Sequence, residues 1–203
     1  KSGGALGVKA VTVYKGNPEQ FGLPTTIGTI LVQDKQTGVV VAVMDGGLLT
    51  GIRTGAASGV ATRHLARKDS KVAGVLGTGV MARGQILALI EAADLDKISV
   101  YSRSDKSAQH FFADEFSEIT GVDICVAASA EALVREADIV TLITSATEPI
   151  VSSSWWKPGT HINGVGSHAR GIRELDTATV QVAKVICDQK QACLNEAGDI
   201  RIP

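Results

Sequence analysis

Cysteine is scarce and odd in number: Cys125, Cys187 and Cys193 are the full set in 203 residues. Their spacing matches no metal-ligand motif, so neither a metal centre nor a disulfide framework is indicated, and reduced thiols in a cytoplasmic protein are expected. No long apolar run is present either. The longest aliphatic stretch, residues 39–44, falls well below the roughly 18–20 residues that cross a bilayer. Neither sign of charge dominates, since 20 Lys and Arg stand against 21 Asp and Glu for a net charge of −1. Nothing in that balance points to nucleic acid or to a membrane surface.

What the chain does have is 44% hydrophobic residues and 22 glycines. The apolar fraction excludes disorder. A chain of this length makes one large domain or two small ones and can bury about 70% of its surface without staples. Abundant glycine with only 4% aromatics suits an α/β nucleotide-binding fold.

The first third reads as β structure. Strands are expected at 6–14, 25–33 and 39–45, rich in Val, Ile and Thr, with a Gly16-Asn17-Pro18 break after the first. The last two are joined by the five-residue hairpin loop Asp34-Lys35-Gln36-Thr37-Gly38. Thr50 is expected to cap a helix running to about Arg67. From Asp69 the pattern changes to short apolar runs at 72–76, 97–101, 122–126, 139–144, 160–165 and 185–188. Between them lie helical stretches at 79–93, 105–119, 130–136 and near 174–182. Strand and helix in alternation predict right-handed crossovers and a doubly wound parallel sheet of six strands. The polar junction Arg67-Lys68-Asp69-Ser70 marks the boundary between the two regions.

Gly77-Thr78-Gly79-Val80-Met81-Ala82 follows the strand at 72–76 and opens a helix. In a dinucleotide fingerprint the first Gly (Gly77) makes the tight turn. The second (Gly79) lets backbone approach a pyrophosphate, and the third position (Ala82) must be small where helix meets strand. Cofactor type is read at the end of the next strand, where a carboxylate would bind ribose hydroxyls. Here that place reads Tyr101-Ser102-Arg103-Ser104. Arg103 offers a fork for a 2′-phosphate and the serines offer donors, which favours NADP(H) over NAD(H), with NAD(H) possible. The other reading of Arg103 is a solvated loop residue.

Arg53, in the expected first turn after Thr50, opposes the helix dipole unless an anion is shared there; otherwise it is a surface residue packing its stem. Lys9 lies on an apolar strand, either reaching the rim or held for chemistry. With Arg53 it could clamp a carboxylate. His168 follows the fifth parallel strand, where loops face the ligand crevice, and is either a proton donor or a polar loop residue. His161, at the other end of that strand, is read as structural.

Several further segments stand in a characteristic order. They are Lys9-Ala10-Val11-Thr12, Asn17-Pro18, Gly22-Leu23-Pro24-Thr25 and Thr50-Gly51-Ile52-Arg53-Thr54-Gly55-Ala56-Ala57-Ser58, ahead of the glycine turn. Ala146-Thr147-Glu148-Pro149-Ile150, Lys157-Pro158-Gly159-Thr160-His161-Ile162-Asn163, Arg173-Glu174-Leu175-Asp176 and Gly198-Asp199-Ile200 follow it. On these the chain resembles the ornithine cyclodeaminase/mu-crystallin family over nearly its whole length.

The resemblance implies a Rossmann-type α/β domain joined to a smaller α+β substrate and dimerisation domain. The expected division is 1–68 for part of the substrate domain, 69–190 for the Rossmann domain and 191–203 for the return toward the substrate domain. Members extend beyond both ends of this chain, which is therefore expected to be a fragment. By the same resemblance Lys9 and Arg53 hold the substrate carboxylate, and Thr25, Val80, Met81, Ser102, Thr144 and Val165 match cofactor-contacting positions. A homodimer is expected, with a small amino-acid or cyclic imino-acid substrate. Ornithine cyclodeaminase carries a catalytic Asp in a Gly-Asp-x-Pro-Gly segment. Here Ser167-His168-Ala169-Arg170-Gly171 stands in its place.

That departure, with Arg103, favours an NAD(P)H-dependent reductase of a carboxylate-bearing cyclic imine. The alternatives are ornithine cyclodeaminase, converting L-ornithine to L-proline and ammonia with NAD, and a non-catalytic NADPH-binding protein like mu-crystallin.

Overall fold

The computed structural model describes residues 6–14, 16–103 and 106–202. The chain divides into two compact units, Lys1–Arg53 and Thr54–Pro203.

In the first unit β1 (Leu6–Val13) pairs antiparallel with β2 (Thr26–Gln33), and β2 with β3 (Val40–Asp45), in the order β1-β2-β3. The β2–β3 turn is tied by the Asp34 carboxylate, whose Oδ1 accepts from the N–H groups of Gln36 and Thr37 and from the Thr37 hydroxyl. The Gly-Asn-Pro stretch does more than break a strand. It opens α1 (Asn17–Phe21), with Pro near its start, where a missing N–H costs nothing.

Helix α2 (Gly46–Leu65) starts earlier than the sequence predicts. Its cap is Asp45, whose Oδ1 accepts from the Leu48 N–H at 2.9 Å. Thr50 is therefore not the cap; its hydroxyl sits inside the helix and donates to the Gly46 carbonyl. Two glycines, poor helix formers, disguise this start. Asp45 both ends a strand and begins a helix.

The division between the units falls within α2, ahead of the expected junction at residues 67–70. The later part of the helix packs in the second unit. A Cβ on Gly55 would collide with the Gly84 carbonyl, and one on Gly59 would lie 3.1 Å from the Ala88 Cβ. Farther along, Thr62 accepts a bond from Asn163, and Arg67 reaches Asp138.

The second unit holds a five-stranded parallel sheet. Its strands are β4 (Val72–Leu76), β5 (Lys97–Tyr101), β6 (Asp123–Val126), β7 (Ile139–Leu142) and β8 (His161–Gly164), in the order β6-β5-β4-β7-β8. On one face α3 (Val80–Ala92) and α4 (Lys106–Thr120) bury Ile86, Leu89, Phe112 and Phe116 against Val75, Ile98 and Val100. On the other, α5 (Ala130–Glu136) buries Leu133 and Val134 against Leu76, Val140 and Leu142. Successive strand residues feed opposite faces, which is why these strands read as unbroken apolar runs.

Residues 185–188 do not form the expected sixth strand. The sheet ends at β8, and Val185 and Ile186 are exposed in irregular chain. A three-residue apolar run is too short to impose a strand without a partner to pair with. The helix expected near 174–182 starts later, as α6 (Thr177–Val182) capped by Asp176, and α7 (Lys190–Glu196) and α8 (Gly198–Arg201) follow. No helix among the described residues is long and apolar enough to cross a membrane.

Candidate functional site

The register aligns Leu76 with Tyr101 on one side and Leu142 on the other, and Leu142 with Gly164, so four strands end at one level. Chain order reverses between β4 and β7, which is where a sheet of this kind opens a crevice.

Gly77 makes the turn out of β4 with φ +116°, and a Cβ there would lie 2.6 Å from the Ile143 carbonyl oxygen. Both the backbone angle and the close approach require glycine. Its N–H donates to the Tyr101 carbonyl at 2.8 Å, tying the turn to β5. Gly79 is the N-cap of α3, with no side-chain cap, and open space where its Cβ would stand. The first N–H groups of α3, at Val80 and Met81, thus face an unobstructed approach suited to an anion. Ala82 is fully buried. The turn fits a pyrophosphate cradle.

At the end of β5 the backbone of Ser102 is held from both sides by Gln109 of α4. The Gln109 Oε1 accepts from the Ser102 N–H at 3.2 Å, and its Nε2 donates to the Ser102 carbonyl at 2.7 Å. Arg103 is exposed next to it. Ser104 lies outside the described residues.

The ends of β7 and β8 converge on one carboxylate. Glu174 Oε1 accepts from the Thr144 N–H at 2.7 Å and from the Thr144 hydroxyl at 2.6 Å, and Oε2 accepts from the Gly166 N–H at 2.8 Å. The Glu174 side chain is fully buried. Burial pushes its carboxyl up to about 7, opposed by those three hydrogen bonds and reinforced by the nearby Asp199 carboxylate. Asp199 Oδ1 accepts from the N–H groups of Glu174 and Leu175, at 2.8 and 2.9 Å. Burial raises the Asp199 pKa against those bonds.

The Thr144 hydroxyl is occupied within the protein, because it also accepts from the Ala146 N–H. Val165 is half-buried just beyond β8, its N–H donating to Leu142. His168 is exposed, with Nδ1 2.7 Å from the Gly166 carbonyl oxygen. A carbonyl only accepts, so Nδ1 carries the proton and Nε2 is left for exchange. His161, by contrast, is linked to Asn163 Oδ1 at 3.0 Å, and burial lowers its pKa.

In the first unit Lys9 Nζ donates to Thr50 Oγ1 at 2.5 Å. Three residues on from Thr50, and so on the same helical face, stands exposed Arg53. Arg53 lies in the second turn of α2, so the expectation that it opposes the helix dipole from the first turn is withdrawn. Thr25 is half-buried at the foot of β2, its carbonyl accepting from Tyr14.

The second unit thus gathers Gly77, Gly79, Val80, Met81, Ala82, Ser102, Arg103, Thr144, Val165 and His168 at the carboxyl end of its sheet. The first brings Lys9 to the helix face of Arg53. Sequence reasoning assigns no role to Glu174, Asp199 or Gln109. The available signals are an acid at 174 between Ile172 and Leu175 and the place of Glu174 and Asp199 in two of the segments that carry the family resemblance.

Compared with known proteins, residues 1–202 match the model of the ornithine cyclodeaminase/mu-crystallin family. A Delta(1)-pyrroline-2-carboxylate reductase of Bacillus cereus is 40% identical over 98% of this chain and 61% of its own length. The structure of Thermococcus litoralis Delta(1)-pyrroline-2-carboxylate reductase in complex with NADH and L-proline superposes with a TM-score of 0.92. Its identity is 46%, over 98% of this chain and 61% of that one. An archaeal alanine dehydrogenase dimer with bound NAD gives 0.89 at 34% identity, over 98% of this chain and 60% of that one. The chain therefore spans about three-fifths of the length of these relatives.

Proposed function

The chain belongs to the ornithine cyclodeaminase/mu-crystallin family, and from that premise we propose that its protein reduces a cyclic imine bearing a carboxylate, of the Δ1-pyrroline-2-carboxylate kind, at the expense of a nicotinamide dinucleotide. The observation that carries the substrate class is the Lys9 ammonium held on Thr50, one helical turn from Arg53. Two cations so placed suit a small carboxylate, bidentate on the guanidinium and point-like on the ammonium.

Gly77, Gly79 and the first N–H groups of α3 would hold the pyrophosphate, with Thr25, Ser102, Arg103, Ser104, Thr144 and Val165 around the rest of the dinucleotide. When bound, the reduced nicotinamide supplies hydride to the imine carbon. Lys9 and Arg53 fix the substrate carboxylate and so orient that carbon, an advantage of several kcal/mol in barrier terms. The imine nitrogen needs a proton, which His168 can deliver from Nε2 because Nδ1 is committed to the Gly166 carbonyl. His168 stands where the cyclodeaminase pattern has Asp, and on that ground the reductase is preferred to the cyclodeaminase.

NADPH is the favoured cofactor because the end of β5 offers Arg103 and, among the described residues there, no carboxylate, and NADH serves as well, as the Thermococcus relative's complex suggests. A second copy of the chain is the proposed partner, covering apolar Val8, Leu31, Val41 and Val43 on one face of the first unit's sheet. The free thiols at Cys125, Cys187 and Cys193 suit the cytoplasm.

A coupled assay tests the reading. Cyclic imino acids, ornithine and proline are each offered with NADPH or NADH, and absorbance and ammonia are followed together. Cofactor oxidation with the imino acid and no ammonia is the expected result. Ammonia from ornithine without added reductant would install the cyclodeaminase instead.

A further inference from the structure

Glu174 is fully buried, forms no ion pair among the described residues, and plays no part in the reaction outlined above. Its donors come from the ends of two neighbouring strands, at Thr144 beyond β7 and Gly166 beyond β8. The three parts touch: a Cβ on Gly166 would collide with both the Thr144 carbonyl oxygen and Glu174 Oε2.

An ionised carboxylate only accepts, and it takes all three donors at once. A neutral acid would turn its proton against the Gly166 N–H, or would make the Thr144 hydroxyl accept and give up its own bond to Oε1. The charged and titratable groups around it are few. Asp199 of α8 orients the Glu174 backbone from behind. The Arg173 guanidinium is turned away, to the Leu175 carbonyl and the Thr177 hydroxyl. His168 lies on the Gly166 carbonyl at the end of β8.

We propose that Glu174 is a positioning residue, whose carboxylate straps Thr144 to Gly166 and thereby sets both the strand ends that receive the nicotinamide half of the dinucleotide and the turn that carries His168. This rests on the dinucleotide reading of the crevice. Because burial pushes the Glu174 carboxyl up to about 7, the strap changes state near neutral pH.

The test has two arms on the full chain. Backbone amide resonances of Thr144 and Gly166 are followed from about pH 5.5 to 8.5, and Kd for NADH and NADPH is measured by fluorescence over the same range, in wild type and in Glu174→Gln. The two amides are expected to titrate together with a midpoint near 7 in wild type and to stay flat in the variant. Dinucleotide Kd should rise about tenfold in Glu174→Gln, the effect of one lost hydrogen bond to a charged group, and lose its pH dependence.

If Glu174→Gln does not fold, Thr144→Val removes one donor at nearly constant shape. The Gly166 midpoint should then move upward, since the ionised form has lost a partner. Thr144 and Gly166 amide shifts that coincide in wild type and a folded Glu174→Gln, or a Gly166 midpoint unmoved in Thr144→Val, overturn the strap, and flat amides in wild type overturn its change of state near neutral pH alone. Unchanged Kd and pH profile in a folded Glu174→Gln overturn the positioning role alone. A wild-type chain that binds neither dinucleotide overturns the cofactor reading, and the positioning role with it.

Discussion

Lys9 and Thr50 meet across 2.5 Å, the ammonium of a strand residue donating to a hydroxyl inside α2. That hydroxyl spends its own proton on the Gly46 carbonyl, so its lone pairs are turned to Lys9. The ammonium is thereby pinned while two of its three protons remain for another acceptor. If the pair with Arg53 binds a carboxylate, Arg53→Ala should lower kcat/KM for a cyclic imino acid roughly a hundredfold, chiefly through KM, as expected for a lost charge-assisted bidentate contact of about 3 kcal/mol. Thr50→Val keeps both cations and frees only the ammonium, so about a tenfold loss is expected. Unchanged steady-state constants in both variants would remove the clamp.

The two turn glycines separate folding from binding. At Gly77 a side chain meets both an unfavourable φ of +116° and the Ile143 carbonyl oxygen at 2.6 Å. Gly77→Ala should therefore cost about 2–5 kcal/mol of stability, read from a denaturant midpoint. Gly79 has φ −75° and open space where a methyl group would stand. Gly79→Ala should melt within a degree or two of wild type yet bind dinucleotide at least tenfold more weakly, because the methyl occupies room a phosphate needs. Full retention of binding would argue against a pyrophosphate at this turn.

Why some of this is legible in the sequence and some is not follows from range. The β4–Gly77–α3 unit is local: an apolar run, a turn that only glycine makes, and a helix behind it, all within 21 residues, Val72 to Ala92. The same holds for α5 leading into β7. The start of α2 is hidden because Asp45 serves a strand and a cap at once and Gly46-Gly47 obscures the helical period. Residues 185–188 read as a strand because an apolar run carries no information about whether a neighbour exists to pair with. Glu174 and Gln109 are out of reach for a different reason. Their partners, Thr144 with Gly166 and Ser102, are chosen by where strands end in space. An acid in a loop gives no sign of that.

Arg103 offers a test of cofactor choice. It is exposed beyond β5, beside Ser102, whose backbone Gln109 fixes. Arg103→Ala should raise Kd for NADPH about tenfold and leave NADH nearly unchanged, since only the former carries a 2′-phosphate for the guanidinium. Equal losses with both cofactors, or a wild type that prefers NADH, would assign Arg103 to general surface charge instead.

Asp138 supplies the acid-side test of stability. Its Oδ2 accepts from the N–H groups of Lys71 and Val72, at 3.0 and 3.1 Å, and its Oδ1 from Lys157 at 2.9 Å and Arg67 at 3.1 Å. Partial burial alone would push this carboxyl up. The two N–H groups and the Lys157 ammonium outweigh it and hold the acid at about 2, below the ordinary 3.8. A depressed folded value means that the folded state binds the proton less readily than the unfolded chain. The stabilisation is then complete above pH 3.8 and drains away as pH falls toward 2. Allowing for the solvent around Arg67 and Lys157, its size is about 1–2 kcal/mol. Asp138→Asn should accordingly lower the urea midpoint at neutral pH, and the gap from wild type should narrow steadily between about pH 4 and pH 2.5. A gap that stays constant across that window would mean the charge contributes nothing and that the lost stability comes from an amide turned donor-to-donor against its neighbours.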